Sequence, residues 1–237
     1  MGTNKAAGLE DRMKDNYEHR YRFKLTRRTP VIMRLDGKAF HTVTKNCMKP
    51  FDSWLNKCMR KTAHAVMEEI QGAKCFYTQS DEISLLITDF DKFTTDAWFD
   101  YNIQKMCSIA AGLASAIFTI NFYDPEEDEG EYALFDCRVF NIPKEEVANY
   151  FIQRQQDWMR NSVQMMAQAN FSHKELYKKS VKMMKEMLLQ IDKDWDKIHT
   201  MWKHGSFCTR DRSWTSCDHF EFTKNREVFN ELMEAQE

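Results

Sequence analysis

Apolar residues along the chain recur in two different periods, which predict helices and strands in a definite order. Steps of three and four residues predict amphipathic helices over 51–70 and 98–118, and 144–168 predicts a third helix. Runs rich in β-branched and aromatic residues occur in "TPVIMRLDG", "AKCFYTQSDEISLLIT" and "ALFDCRVFNIP". The first and last predict single strands, and the second predicts two strands joined by a hairpin with "QSDE" at its tip.

The order strand, helix, strand, strand, helix, strand predicts an α+β fold on a split βαβ, or ferredoxin-like, sheet with helices on one face. Residues 9–24 are expected to form a leading helix. After residue 170 the chain is more polar and aromatic, and helices are expected over 173–190 and 224–236. We therefore expect one domain over 1–170 and a mainly helical C-terminal region over 171–237 that packs on it.

Composition indicates a globular cytoplasmic protein. Hydrophobic residues make up 43% and charged residues 30% of the 237 positions, and the formal net charge is -2. Nothing in the sequence resembles a signal peptide or a membrane span, so no membrane partner is expected. The seven cysteines include no CxxC pair, which favours free thiols in a reducing compartment. Because the net charge is not basic, any RNA-binding surface must be a local patch.

Two carboxylates are expected to meet at one end of the sheet. Asp36 ends the first strand and Asp81 lies at the hairpin, and the first and third strands of a split βαβ sheet are neighbours. Two close carboxylates favour a cation between them, and magnesium takes few protein ligands besides water and phosphate oxygens. The carbonyl of Gly37 can add a ligand, and the amides of 38–41 can cradle a triphosphate. This pattern indicates two-metal nucleotidyl transfer. A helix cap and an ordinary polar turn remain the structural alternatives for the two acids.

The segments "RLDGKAFHTVT", "KPFD", "YTQSDEISLL", "WFDYNIQKMCSIAA", "FDCRVF" and "RQQDWMRNSVQMMAQANFS" together resemble the tRNA-His guanylyltransferase family of 3′–5′ nucleotidyltransferases. The resemblance implies a polymerase-like palm, with two magnesium ions held by Asp36, Asp81 and the Gly37 carbonyl. It also implies nucleotide-phosphate contacts, made by the residues Gly37, Lys38, Ala39, Phe40, His41 and Ser80. The ions are the expected cofactors, and ATP, GTP and other nucleoside triphosphates are the expected substrates.

The resemblance also implies basic contacts to the triphosphates or to the RNA 5′ end at Lys49, Lys105 and Arg138. A solvated loop charge, a surface lysine and a local ion pair with Asp136 are the respective alternatives. Glu82 is expected to support the hairpin more than to bind metal. Four polar residues of the third helix lie close to one face and are expected either to grip the 5′ end or to form an internal ion-pair ladder: Arg154, Asp157, Arg160 and Asn161.

One departure from the family bears on specificity. The eukaryotic branch carries His-Ile-Asn-Asn-Leu-Tyr-Asn-Thr after its Arg-Gln-x-Asp segment, whereas Met159-Arg160-Asn161-Ser162-Val163 follows here. That form resembles the bacterial and archaeal-type proteins, which are linked to template-dependent repair of 5′-truncated tRNA. The expected function is therefore addition of nucleotides to tRNA 5′ ends, with ATP activation of 5′-monophosphates. The family also implies a homotetramer.

Several alternatives remain open at this point. A strict tRNA-His guanylyltransferase would add a single G at position -1. A non-catalytic RNA-binding module would need exposed aromatic strands, whereas "VIMRL" and "ISLLI" are aliphatic. A palm-type nucleotide cyclase would use the same two acids. A zinc site at His204, Cys208, Cys217 and His219 is disfavoured, because their spacing matches no common zinc-binding motif.

Overall fold

The structure is a computed structural model that describes residues 8–128 and 130–234. The helices are α1 (Leu9–Met13), α2 (Phe40–Val43), α3 (Ser53–Glu69), α4 (Ile103–Phe122), α5 (Lys144–Gln168), α6 (His173–Leu176), α7 (Val181–Leu189), α8 (Thr200–His204) and α9 (Glu227–Glu231). The strands are β1 (Val31–Gly37), β2 (Ala73–Gln79), β3 (Glu82–Ile87), β4 (Phe135–Asn141) and β5 (Ser206–Thr209). A π turn (Lys14–Glu18) and a 3-10 turn (His19–Tyr21) continue α1, so the expected leading helix is present.

The strands form one antiparallel sheet in the order β4-β1-β3-β2-β5. The first four strands are those that the sequence predicted, and β1 and β3 are central neighbours as a split βαβ sheet requires. The α+β fold with a palm-like sheet is confirmed. The fifth strand was not predicted: β5 pairs with the outer side of β2, with Tyr77 opposite Phe207. The division of the chain at residue 170 stays a prediction.

Helices cover both faces of the sheet, so the prediction of helices on one face is wrong. Alternate residues of β1 point to opposite faces, and Val31, Met33 and Leu35 pack with α3 and α4 in the larger core. Ile32 faces the other way and packs against α5 in a second core, together with aromatic residues from the C-terminal part of the chain. The physical reason is that β3 is buried along its whole length, which a sheet covered on one face would not allow.

The helix α4 helps to cover the face of the sheet to which Val31, Met33 and Leu35 point. It buries one stripe of small and apolar residues, Met106, Ala110, Ala114 and Phe118. By length and composition alone, the 20-residue helix α4 could also cross a membrane. One such helix is weak evidence for a span, because the core helices of globular proteins pass the same test. Here α4 lies against α3 and β4.

The C-terminal helices are shorter than predicted. The expected helix over 173–190 is interrupted between α6 and α7, where Lys178 adopts a left-handed backbone conformation (φ 58°). The expected helix over 224–236 is α9 alone, and its last residues lie outside the described part of the chain. The cysteines are free, and Cys58, Cys75 and Cys208 are buried.

Candidate active site

Asp36 and Asp81 lie at the same edge of the sheet. Asp36 is the penultimate residue of β1 and stands opposite Glu82, the first residue of β3. The turn between β2 and β3 consists of Ser80 and Asp81, and Ser80 adopts a left-handed conformation (φ 48°). The amide of Gly37 donates a hydrogen bond to the carbonyl oxygen of Asp81 at 3.1 Å. The two segments that carry the acids are therefore joined directly.

Gly37 is required at this junction by the ring of Phe40. A Cβ atom at position 37 would lie 2.3 Å from that ring, closer than any real carbon contact. The Phe40 ring cannot move aside, because it packs on Phe118 and Phe135 with centroid distances of 5.2 and 5.0 Å. The side chain of Phe40 therefore belongs to the core, and only its backbone faces the site.

The turn after β1 contains backbone amides that have no hydrogen-bond acceptor in the described part of the chain. The amide of Lys38 donates to the carbonyl of Leu134 at 2.8 Å. Ala39 has a left-handed backbone (φ 54°) and precedes α2. Within the described residues, the amides of Ala39, Phe40 and His41 have no hydrogen-bond acceptor. Consecutive free amides of this kind form a concave donor surface that suits an anion.

Asp36 belongs to a chain of ion pairs that runs from the sheet to α5. Its Oδ2 lies 2.9 Å from Arg34 Nη2 and 3.9 Å from Arg138 Nη2. The chain continues through Glu82, whose Oε2 lies 3.1 Å from Arg34 Nε, to Arg154. Arg34 and Asp36 are two apart on one strand and so share a face, which is the signal that could have identified Arg34 from the sequence.

Glu82 is 5% exposed and fully engaged. Arg154 binds it with two charge-assisted hydrogen bonds, from Nε at 2.7 Å and from Nη2 at 2.6 Å. Arg154 also contacts Asp157 at 3.4 Å, and Asp157 in turn binds Arg160 at 2.5 Å. Of the two expectations for this helix face, the structure contains the ion-pair ladder. Arg160 and Asn161 at its outer end are exposed.

Asp81 differs from Asp36 because no cation lies within ion-pair distance of it among residues 8–128 and 130–234. Burial holds the pKa of the Asp81 carboxyl above its ordinary value. The hydrogen bond from Ser80 lowers that pKa, whereas the charges of Asp36 and Glu82 raise it further. A half-buried carboxylate without a counter-cation beside a second carboxylate fits the oxygen ligands of magnesium.

The described residues contain no group of three or more His, Cys, Asp or Glu side chains able to hold a metal. The predicted ligand set of two carboxylates and one backbone carbonyl, at Asp36, Asp81 and Gly37, stays a prediction. Magnesium keeps several waters and substrate phosphate oxygens in its shell and does not need a full protein cage.

A cavity of about 230 Å³ opens beside Asp81 and Ser80. Its wall includes His41 and Lys49, both predicted from the sequence, and the Lys49 Nζ donates to the carbonyl of Thr44 at 3.2 Å. Phe40, also predicted, lines the cavity as well, whereas the sequence analysis did not single out the remaining lining residues, which are Thr44, Cys47, Met48, Pro50, Asp52, Leu55 and Met165. Asp52 lies within the "KPFD" segment, and that was the available signal.

Two residues that were predicted to contact phosphate, Lys105 and Arg138, differ in position. Lys105 lies away from this edge, whereas Arg138 lies at the edge and is paired with a carboxylate. Lys105 is in the first turn of α4, close to Ile103, whose amide donates to Phe23. The part of α4 nearest the acids includes Ser115, whose hydroxyl oxygen accepts from the amide of Phe135, the partner of Gly37 on β4, at 2.9 Å. Ten residues of helix separate these points, about 15 Å. Arg138 is at the edge and half exposed, with Asp136 as its nearer partner at 3.0 Å.

The residues weighed for zinc are held by other contacts. The Nδ1 atom of His204 lies 2.9 Å from the carbonyl of His219, and the Nδ1 atom of His219 lies 2.8 Å from the carbonyl of Gly205. Burial lowers the pKa of His219. The two histidines thus tie the segment before β5 to the segment after it.

Comparison with known proteins finds related sequences and solved structures of the same fold. The sequence profile described as tRNAHis guanylyltransferase matches residues 10–143. A bacterial tRNA(His) guanylyltransferase (Thg1)-like protein solved in complex with ATP is 41% identical and superimposes with a TM-score of 0.89, over 96% of this chain and 100% of that chain. A structure with the same description in complex with GTP is 40% identical, with a TM-score of 0.83 and the same coverage.

Among curated relatives, a probable tRNA(His) guanylyltransferase of Mus musculus is 33% identical over 138 residues, which is 56% of this chain and 45% of the relative. The chain spans between 44% and 62% of the length of the curated relatives that it matches.

Proposed function

The chain belongs to the tRNA-His guanylyltransferase family, and we propose that it is a magnesium-dependent 3′–5′ nucleotidyltransferase that extends the 5′ end of tRNA. The observation that carries the proposal is the pair Asp36 and Asp81 at one edge of the sheet, with Asp81 lacking a protein cation in the described residues. Next to them stand the free amides of the turn after β1. The carboxylates would bind metal ions and the adjacent amides would bind phosphate, which together suit a metal-bound nucleoside triphosphate.

The residues of the edge have separate roles in this proposal. Asp36, Asp81 and the Gly37 carbonyl would hold two magnesium ions, which when bound stabilise negative charge on the reacting phosphates. The turn from Gly37 to His41 and the Ser80 hydroxyl would bind the triphosphate. The cavity beside Asp81 would take the base of that nucleotide, since its wall combines apolar groups with Asp52 and Lys49.

Arg34 has an additional role. Its guanidinium bridges Asp36 and Glu82, at 2.9 and 3.1 Å, and so fixes the direction of the Asp36 carboxylate. Arg154 fixes Glu82 from α5 by its two hydrogen bonds. This support makes Glu82 a positioning residue, because both of its oxygens already accept from arginine. Arg138, half exposed beside Asp36 and paired with Asp136, would turn from that pair towards a phosphate.

The proposed reaction has two steps. A 5′-monophosphate end attacks the α-phosphorus of ATP, so that AMP is joined to the RNA and pyrophosphate leaves. The 3′-hydroxyl of an incoming nucleoside triphosphate then attacks the 5′-phosphorus, a phosphodiester forms, AMP leaves and the hydroxyl proton passes to water. A 5′-triphosphate end would react directly and release pyrophosphate. The ATP and the GTP bound in the two bacterial Thg1-like structures support two nucleotide roles in such a site.

We further propose that the incoming base is chosen by pairing with the opposite RNA strand, as in repair of 5′-truncated tRNA. The support is the sequence "QQDWMRNS" in place of the eukaryotic segment, together with the pairing of Asp157 with Arg154 and Arg160 in an ion-pair ladder. Pairing geometry can discriminate bases without a dedicated pocket. Strict addition of a single G at position -1 is the competing outcome.

A non-catalytic RNA-binding module is disfavoured by the sheet. Such modules stack bases on exposed aromatic strands, whereas β3 is buried throughout and β1 is covered on both faces. Exposed apolar residues on α4, among them Ile109 and Ile120, support the proposal of a homotetramer. A cytoplasmic location agrees with these roles.

The test is transfer of label from ATP. The full chain is incubated with magnesium, α-labelled ATP and a 5′-monophosphorylated tRNA that lacks its first nucleotide. We expect labelled AMP to become attached to the RNA and to be released when nucleoside triphosphates are added. If no label reaches the RNA at any magnesium concentration, the proposal is wrong.

A further inference from the structure

The segment between α5 and the middle of α7 concentrates positive charge. Residues 173–182 contain four lysines, Lys174, Lys178, Lys179 and Lys182, against one acid, Glu175, whereas the whole chain carries a net charge of -2. Glu175 is occupied locally: its carboxylate accepts from the amide of Ser172 at 2.8 Å and from the Ser172 hydroxyl at 2.6 Å in a capping box. The lysines outnumber the acid within the segment, so the segment stays positively charged.

The four lysines are all exposed, and no carboxylate lies within 4.0 Å of them in the described part of the chain. Tyr177 stands among them and is 63% exposed. The Lys178 Nζ lies 5.3 Å from the centre of the Tyr177 ring, a cation–π distance. We call Lys174, Tyr177, Lys178, Lys179 and Lys182 the basic surface.

Lys178 occupies a backbone conformation that normally favours glycine, with φ at 58°. A residue with a Cβ is disfavoured there by about 1–2 kcal/mol. The interruption of the helix at this residue turns Tyr177 and its neighbouring lysines outward, where a continuous helix would have distributed them around its axis.

The basic surface borders a cavity of about 450 Å³. Tyr177, Lys178 and His173 form one side of it, and Gln164 and Gln168 of α5 form another. The wall thus combines an aromatic ring, amides and positive charge. This is the chemistry that receives a stacked base or ribose with its phosphate.

The basic surface lies next to the catalytic edge. Met165 of α5 lines the cavity that contains Ser80 and Asp81, and the adjacent residue Gln164 lines the cavity of the basic surface. Consecutive residues of an α-helix advance 1.5 Å along the axis and point about 100° apart. The two cavities therefore lie on neighbouring sides of one helix, within roughly 15 Å of each other.

We propose that the basic surface binds the sugar–phosphate backbone of the RNA substrate a few nucleotides from its reacting 5′ end, with Tyr177 stacked on a base or ribose. This inference rests on the proposed function, since it names RNA as the occupant. An RNA chain whose 5′ phosphate lies at Asp81 has its next phosphates within reach of α5 and the lysines. An anionic membrane or an acidic protein would match the charge but not the cavity beside a phosphate-transfer edge.

The test compares two triple variants with equal loss of charge. The first variant combines Lys178→Gln, Lys179→Gln and Lys182→Gln. The control variant combines three substitutions on other surfaces, Lys14→Gln, Lys92→Gln and Lys224→Gln. Binding of a 5′-truncated tRNA is followed by fluorescence anisotropy at several salt concentrations. We expect the first variant to bind about 10- to 100-fold more weakly at low salt and to lose about 2–3 units of salt slope, since each phosphate contact contributes about 0.7–0.9. The control should stay within about threefold of wild type.

Substitutions of Tyr177 distinguish the contribution of ring stacking to RNA affinity from the contribution of the lysine charges. Tyr177→Phe should bind RNA as wild type does, whereas Tyr177→Ala should bind several-fold more weakly with an unchanged salt slope. Equal affinities of the two lysine variants would overturn the inference. The inference would also be overturned if the Lys178, Lys179 and Lys182 variant lost binding to phosphatidylserine vesicles or to poly-glutamate but kept its affinity for RNA. Because binding is measured without catalysis, failure of the proposed function appears separately, as absence of AMP transfer by the wild-type chain.

Discussion

The amide of Gly37 donates a hydrogen bond to the carbonyl of Asp81 at 3.1 Å, and this contact joins the end of β1 to the turn between β2 and β3. The two residues are 44 positions apart, yet the antiparallel register that sets Asp36 opposite Glu82 leaves them adjacent. The backbone segments that carry Asp36 and Asp81 are thereby held at one edge of the sheet. The Arg34 side chain then fixes the direction of the Asp36 carboxylate.

Replacement of either carboxylate should abolish nucleotide transfer. Asp36→Asn or Asp81→Asn removes one charge from the proposed metal site, and the loss of transition-state stabilisation should lower the rate by roughly 10³-fold or more. Asp136→Asn is the matched control, because Asp136 stands opposite Asp36 on β4 and is largely exposed. We expect the control to keep its activity within a few-fold of wild type. Near wild-type turnover of an Asp36 or Asp81 variant at saturating magnesium would contradict the assignment.

Metal binding should be visible in stability without any catalysis. Burial raises the pKa of Asp81 in the folded protein, so its contribution to stability is fully present below the pKa of the unfolded chain and is lost as pH rises through the folded value. At neutral pH without metal, Asp81→Asn should therefore unfold at a higher temperature than wild type, and this advantage should shrink in acid. Magnesium should raise the melting temperature of wild type but not of Asp81→Asn. Equal magnesium shifts in both proteins would exclude Asp81 as a ligand.

The two arginines of α5 should differ sharply in their effect on stability. Arg154→Met leaves Glu82 buried without its bidentate partner, and breaking such a pair should cost about 3 kcal/mol of unfolding free energy. Arg160 is exposed and, among the residues that the structure describes, forms an ion pair with Asp157 alone, so Arg160→Met should cost less than about 1 kcal/mol. Urea denaturation measures both. Similar small losses would show that the buried part of the ladder does not hold Glu82 in place.

Arg138 and Lys105 were predicted as equivalent phosphate contacts, but the structure separates them. Arg138 is 3.9 Å from Asp36, and Arg138→Gln should lower kcat/KM for triphosphorylated 5′ ends by about 10- to 100-fold, the value of a charge-assisted contact, with little change in melting temperature. Lys105 lies towards the other end of α4. A similar loss of kcat/KM in Lys105→Gln would mean that Lys105 contacts the active site of another copy of the chain. In that case, mixing the Lys105→Gln and Asp81→Asn proteins should restore part of the activity.

The sequence predicted the parts of the fold that depend on local pattern. The four strands β1 to β4, the helices α3 to α5 and the meeting of Asp36 with Asp81 follow from period and strand order. The second covered face was missed although "ISLLI" contained the signal, since a strand buried on both sides shows no alternation. β5 has only four residues, and its pairing with β2 is set by tertiary contacts that no local pattern encodes. The interruption at Lys178 was missed because "SHKELYKKSVKMM" keeps a helical period through it.

The central claim is tested most directly by changing the template. A set of four tRNAs, each lacking its first nucleotide and differing in the base opposite the gap, is given 5′-triphosphate ends and incubated with the protein, magnesium and all four nucleoside triphosphates. We expect 5′ extension of every RNA by the complementary base, and no extension by Asp81→Asn. Addition of guanosine at equal rates opposite all four bases, or no extension of any RNA, would contradict template-directed 3′–5′ addition.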